Sequence, residues 1–162
     1  NDLAIMQNGI IFASDPNWSN STGQLWQIDI DGKTTLLEIN MGTTNGLEVS
    51  PDEKTLYINE TVQQRIWKYD LDAEGNISNK KLFYQFDEFL LDGMRCDVNG
   101  NLFVTRYGGS SITILSVQGE HIRDITLLGT DCTNLAFGGE DGCICFITVA
   151  DKGHVEMFRT DA

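Results

Sequence analysis

Apolar and polar residues alternate along most of this chain, in short runs broken by Gly, Asn, Asp or Pro. The stretch 43–60, TTNGLEVSPDEKTLYINE, shows the pattern: an alternating run, a Pro-Asp turn and a second apolar run. Period-two spacing of this kind predicts half-buried strands. No window of ten or more residues holds the spacing of an amphipathic helix. The Asn-Gly at the front of this stretch stands out, because nothing hairpin-like precedes it.

Self-similarity organises the strands. NDLAIMQNGIIFASD opens at Asn1, NGLEVSPDEKTLYINE at Asn45, DGMRCDVNGNLFVTR at Asp92 and TNLAFGGEDGCICFITV at Thr133, so the starts lie 44, 47 and 41 residues apart. Each unit has a polar first residue, an apolar third residue, an alternating strand, a turn and a second strand. Third strands follow in GQLWQIDIDGK, QRIWKYDLDAEGN, SSITILSVQGE and KGHVEMFRTDA, and fourth strands in TTLLEIN, KKLFYQF and HIRDITLL. This period is that of a four-stranded propeller blade. The expected fold is therefore all-β, a single β-propeller portion with blades over about 1–40, 45–86, 92–128 and 133–162. Four blades are few for a closed ring. The chain is expected to be part of a six-bladed ring, with an N-terminal portion absent or supplied elsewhere, or to self-associate through open blade edges.

In a propeller the innermost strand of each blade lines the central channel, and a residue at its mouth points to the axis. Asn1, Asn45 and Asp92 share that position in successive repeats. Two amide oxygens and a carboxylate are hard ligands suited to Ca²⁺, Mg²⁺ or Mn²⁺. Taken singly, Asn-Gly and Asp-Gly are ordinary turn dipeptides; three in register at blade spacing point to a metal site. Asp92 is also the leading general base, and Asp2 is placed to meet a substrate hydroxyl. Arg106, in VTRYGG, is a candidate for holding an anionic substrate, with a surface ion pair as its ordinary reading. The polar loop 15–23 contains Trp18 and is long enough to cap a channel.

Charge narrows the partners. The chain has 24 Asp and Glu against 11 Lys and Arg, a net charge of −13. Such a field repels phosphate backbones and argues against nucleic acid as a partner. No apolar run reaches the ~20 residues of a membrane span. The cysteines Cys96, Cys132, Cys143 and Cys145 show no zinc-finger spacing. They read as free thiols of a reducing compartment, which makes the cytoplasm the expected location; secretion or the periplasm is the alternative if a leader precedes Asn1. His121 and His154 fall on strands of different blades and suggest no nucleophile relay, and no G-x-S-x-G elbow is present. Sequons occur at Asn17, Asn20, Asn59 and Asn76, at the frequency chance gives in an Asn-rich chain.

NDLAIMQNGIIFASDP, TNGLEVSPDEKTLYINET, LDGMRCDVNGNLFVTRYGG and TNLAFGGEDGCICFITVA resemble, in order and at matching intervals, segments of the gluconolactonase, senescence marker protein and luciferin-regenerating family. The resemblance implies a six-bladed propeller with one divalent cation on its axis, Ca²⁺ first and Zn²⁺, Mn²⁺ or Mg²⁺ as alternatives. It implies hydrolysis of a small-molecule sugar lactone. The family's axial ligands are a Glu, two Asn and an Asp; its Asn residues match Asn1 and Asn45, and its Asp matches Asp92. The Glu belongs to a blade this chain does not contain, and the family's substrate-contacting Arg would precede Asn1. Those two absences keep a non-catalytic binding or scaffold propeller open as the alternative. A condensing enzyme of the strictosidine-synthase type, using Glu60 in place of a metal, is a third reading.

Overall fold

The structure is a computed structural model that describes residues 1–160. Every regular element in it is a strand, and the strands form successive antiparallel sheets in chain order. The first blade holds β1 (Leu3–Ile5), β2 (Ile11–Asp15), β3 (Gly23–Ile28) and β4 (Thr34–Met41). The second holds β5 (Thr44–Val49), β6 (Thr55–Glu60), β7 (Arg65–Leu71) and β8 (Ile77–Gln85). The third holds β9 (Leu90–Cys96), β10 (Leu102–Tyr107), β11 (Ser111–Leu115) and β12 (His121–Thr126). A three-stranded fourth blade comprises β13 (Cys132–Gly138), β14 (Ile144–Val149) and β15 (His154–Arg159). The innermost strands β1, β5, β9 and β13 lie side by side in that order, which is a propeller arrangement of four blades.

Hairpins within the blades close through a recurring device. Asp72 and Asp97 each accept backbone N–H groups two and four residues ahead, and Gly75 and Gly100 complete the turns at φ +80° and +82°. The aspartate caps the turn, and the glycine takes the left-handed conformation that a Cβ would oppose. The apolar sides of neighbouring sheets meet in three cores, one per seam. Phe12, Leu25, Leu47 and Ile58 fill the first, Tyr57, Phe83, Leu91 and Met94 the second, and Phe103, Leu135 and Ile147 the third. Simple alternation fails on β5, where Thr44 to Glu48 are all buried. That strand is covered on both faces by its neighbours, so its polar residues must find partners inside the protein. The outer strand β12 is the reverse, exposed over most of its length.

Candidate functional site

Three of the four inner strands begin with the same irregularity. Between β5 and β6 the register jumps from Thr44–Glu60 to Leu47–Ile58, so Asn45 and Gly46 together oppose Asn59. Between β9 and β10 it jumps from Arg106–Leu91 to Val104–Met94, leaving Asp92 and Gly93 opposite Thr105. Thr133 and Asn134 share Thr148 in the fourth blade. In the first, the main-chain nitrogens of Asn1 and Asp2 go to the carbonyl and hydroxyl oxygens of Ser14. The second, third and fourth blades thus carry a β-bulge, a device that re-aims a side chain at the end of a strand. This accounts for the Asn-Gly that opens the second repeat: it is one instance of a bulge built into three successive blades.

The entries to the inner strands bring three predicted residues together. The Asn1 amide Nδ2 donates to Asn45 Oδ1, and the Asn45 side chain hydrogen-bonds the Asp92 carboxylate. Asn45 is 3% exposed, and its Nδ2 also donates to Thr61 Oγ1 at 3.0 Å. Because Thr61 holds the nitrogen side of the amide, Asn45 Oδ1 is the atom left to face Asn1. Burial pushes the Asp92 carboxyl up to about 6; the Asn45 hydrogen bond opposes this shift and the nearby Asp2 charge adds to it. Among the described residues no cation is within ion-pair distance of Asp92.

The glycines beside these residues answer to close approach between blades. A Cβ on Gly46 would lie 2.3 Å from the Asp92 carbonyl oxygen, and one on Gly93 would lie 2.2 Å from Asn134 Oδ1. Small residues let consecutive inner strands come near enough for Asn45 and Asp92 to touch. Their positions are thus coupled through main-chain packing as well as through side chains.

Other predicted residues take different places. Asp2 Oδ2 accepts the Leu47 N–H at 3.1 Å and its Oδ1 accepts the Leu3 N–H at 2.9 Å. It is a bracket between the first two blades, close enough to Asp92 to influence its charge. Arg106 is 8% exposed, so it forms no surface ion pair. Its guanidinium carbon lies 3.7 Å above the Phe86 ring centre, while its nitrogens donate to Thr113 Oγ1 and the Glu88 carbonyl. As placed, it braces the loop 86–89 in the seam between the second and third blades, and none of its contacts is with Asn1, Asn45 or Asp92. Glu60 is also engaged on both oxygens, by Arg65 Nε and Trp67 Nε1, within its own blade. The condensing-enzyme reading therefore loses the free channel carboxylate it required.

Trp18 is exposed on the loop 15–23 and lines a cleft of about 510 Å³ with Asp15, Gln24 and Ile39. A Thr43 Oγ1 to Ser21 Oγ bond at 3.2 Å ties that loop to the segment leading into Asn45.

Sequence reasoning missed several supporting residues. Thr61 orients Asn45, and Glu48 joins β5 to β9 by accepting from Arg95 Nη1 at 2.8 Å and Cys96 N at 2.9 Å. Burial raises the Glu48 carboxyl, with the Cys96 N–H and the Arg95 charge opposing the shift. A further signal was present in the repeat. Ser14, Asn59, Thr105 and Thr148 each follow an aromatic residue by two positions in the second strand of a blade, in FAS, YIN, FVT and FIT.

The donor set fits a hard divalent cation: two amide oxygens and a half-buried carboxylate with no cationic side chain to neutralise it. Among the described residues no three His, Cys, Asp or Glu side chains converge.

Comparison with known proteins agrees with this architecture. Residues 1–151 match the family model of the SMP-30/Gluconolactonase/LRE-like region. The chain belongs to this family. Its relatives there include the gluconolactonase of Zymomonas mobilis, 31% identical over 173 residues, with 93% of this chain and 48% of that protein covered. Pentonolactonase XacC of Haloferax volcanii is 28% identical over 153 residues, covering 93% and 53%. Among solved family structures, a luciferin-regenerating enzyme superposes with a TM-score of 0.85 at 28% identity, covering 93% of this chain and 53% of that one. A calcium-binding protein, regucalcin, from Agrobacterium tumefaciens has the same fold, with a TM-score of 0.83 at 24% identity and coverage of 91% and 52%. The chain spans about half the length of the curated relatives it matches.

Proposed function

We propose that this chain supplies the axial cation centre of a sugar-lactone hydrolase. The observation that carries the reading is the meeting of Asn1, Asn45 and Asp92 at the entries of consecutive inner strands, with no cationic side chain among the described residues in ion-pair range of the carboxylate. Relatives named gluconolactonase and pentonolactonase support the substrate class, and a fold neighbour named as calcium-binding supports Ca²⁺ as the first ion to try. On this reading the working protein is a six-bladed ring, the family's Glu ligand comes from a blade outside this chain and its substrate Arg from the segment that would precede Asn1.

Asn1, Asn45 and Asp92 would hold the ion. When bound, it supplies electrophilic polarisation of the lactone carbonyl. Asp92, ionised at neutral pH, takes a proton from the water whose oxygen attacks the carbonyl carbon. The bond from that carbon to the ring oxygen then breaks, and the proton held on Asp92 passes to the departing oxygen, leaving an open hydroxy acid. The amides of Asn1 and Asn45 can meet sugar hydroxyls at the mouth. Asp2 fixes the Leu47 backbone beside them.

The test is acid release from gluconolactone by the full-length protein after chelation and again after Ca²⁺, Mn²⁺, Mg²⁺ or Zn²⁺ is added back. Turnover that disappears with chelation and returns with one of these ions is the expected result. Cation uptake with no turnover of any aldonolactone would favour the non-catalytic binding module.

A further inference from the structure

Asn59 lies on β6 opposite the Asn45–Gly46 bulge and is completely buried. Its Nδ2 leaves its own blade and donates to the main-chain oxygen of Asp92 at 2.5 Å. Its Oδ1, equally buried, has no hydrogen-bond partner. Turning the amide over would set Oδ1 against the Asp92 carbonyl, acceptor against acceptor, so the orientation is fixed. An unpartnered buried acceptor is costly, and a shorter or apolar residue here would avoid that cost.

The corresponding residues in the neighbouring blades reach less far. Ser14 Oγ lies 3.5 Å from the oxygen of Asp2 in its own blade. Thr105 Oγ1 bonds Gly93 O of its own blade at 2.9 Å and extends to Thr133 O of the next at only 3.4 Å. The long amide with the short bond stands where the next blade's bulge carries the carboxylate. We infer that Asn59 is a positioning residue for Asp92, setting the aim of that carboxylate into the cation centre by holding its main chain from the neighbouring blade. The inference rests on the cation reading above and assigns Asn59 no contact with ion or substrate. Its burial also removes it as a glycosylation acceptor, although it begins a sequon.

The test compares Asn59→Ala with Thr148→Ala, the equivalent change in the fourth blade, in the full-length protein, measuring Ca²⁺ affinity by calorimetry and the thermal midpoint of the chelated forms. Both variants remove a side-chain bond to the main chain of a bulge, and Thr148 serves the fourth blade's bulge rather than that of Asp92, so a merely structural role would move both in parallel. The expected result is a Ca²⁺ affinity about tenfold or more weaker in Asn59→Ala alone, as for loss of an outer-shell support, with similar midpoints in the two variants. Asn59→Thr, which copies the shorter reach of the third blade, should fall between wild type and Asn59→Ala and carries the comparison if the alanine variant does not fold. Equal weakening in both variants, or unchanged affinity in Asn59→Ala, overturns the inference and leaves the cation centre standing. A wild-type protein that takes up no divalent cation overturns both.

Discussion

The second and fourth blades enter their inner strands through the same bulge and do different things with it. In the second, Asn45 is buried and turned to Asp92, with Gly46 behind it giving way to the third blade. In the fourth, Thr133 Oγ1 pairs with Thr148 Oγ1 at 2.7 Å and Asn134 Oδ1 accepts the following Leu135 N–H, so both side chains are spent within their own blade. The bulge is therefore architecture, and the chemistry depends on which residue occupies its first position and whether a glycine follows. A propeller can repeat the backbone device around its axis and still confine ligands to some blades.

The sharpest way to break this contrast is at the glycine. In Gly46→Ala the new methyl would meet main chain at 2.3 Å, where no side chain can yield. We expect a loss of about 2–3 kcal/mol in urea unfolding, together with loss of cation uptake.

Asp92→Asn should separate stability from function. The folded chain holds its carboxyl near 6, above the ordinary 3.8, so the folded state binds the proton more tightly than the unfolded state. The contribution of Asp92 to metal-free stability, read as the difference between the unsubstituted protein and Asp92→Asn, should therefore be greatest below about pH 4, fall as pH rises to about 6 and level off above it. Removing the charge should raise metal-free stability at pH 7 by about 2 kcal/mol while abolishing cation uptake. In the unsubstituted protein, cation affinity should fall as pH is lowered through about 6, where the proton competes for Asp92. Unfolding curves and calorimetry at several pH values check both statements.

Smaller effects refine the contrast. Thr61→Val frees the Asn45 amide to rotate, and cation affinity should weaken about tenfold. Thr133→Val, at the fourth blade's equivalent position, should leave affinity unchanged and stability within about 0.5 kcal/mol. A large effect there would mean the fourth blade belongs to the site.

Much of the fold was legible because the blade period and the strand period are both local. The repeat that begins at Asn1, Asn45, Asp92 and Thr133 falls on the entries of the four inner strands, three of them bulged, and alternation marks the strands between them. The placing of Arg106 was not legible, because its partners Phe86 and Glu88 come from the preceding blade's exit. Period-two reading could not anticipate that Glu48 and Asn59 would be buried as cross-blade links, since a strand covered on both faces has no solvent side. The polar residue after FA, YI, FV and FI carried that information, because an isolated polar group in an apolar strand must be paired with something.

The most direct test of the cation centre is calorimetric titration of Ca²⁺ into the full-length protein beside Asp92→Ala and Asn45→Ala. The account predicts one site per chain in the unsubstituted protein, lost in Asp92→Ala and weakened in Asn45→Ala. Binding that survives intact in both variants would contradict it, because the cation would then lie elsewhere than at the Asn45 and Asp92 bulges.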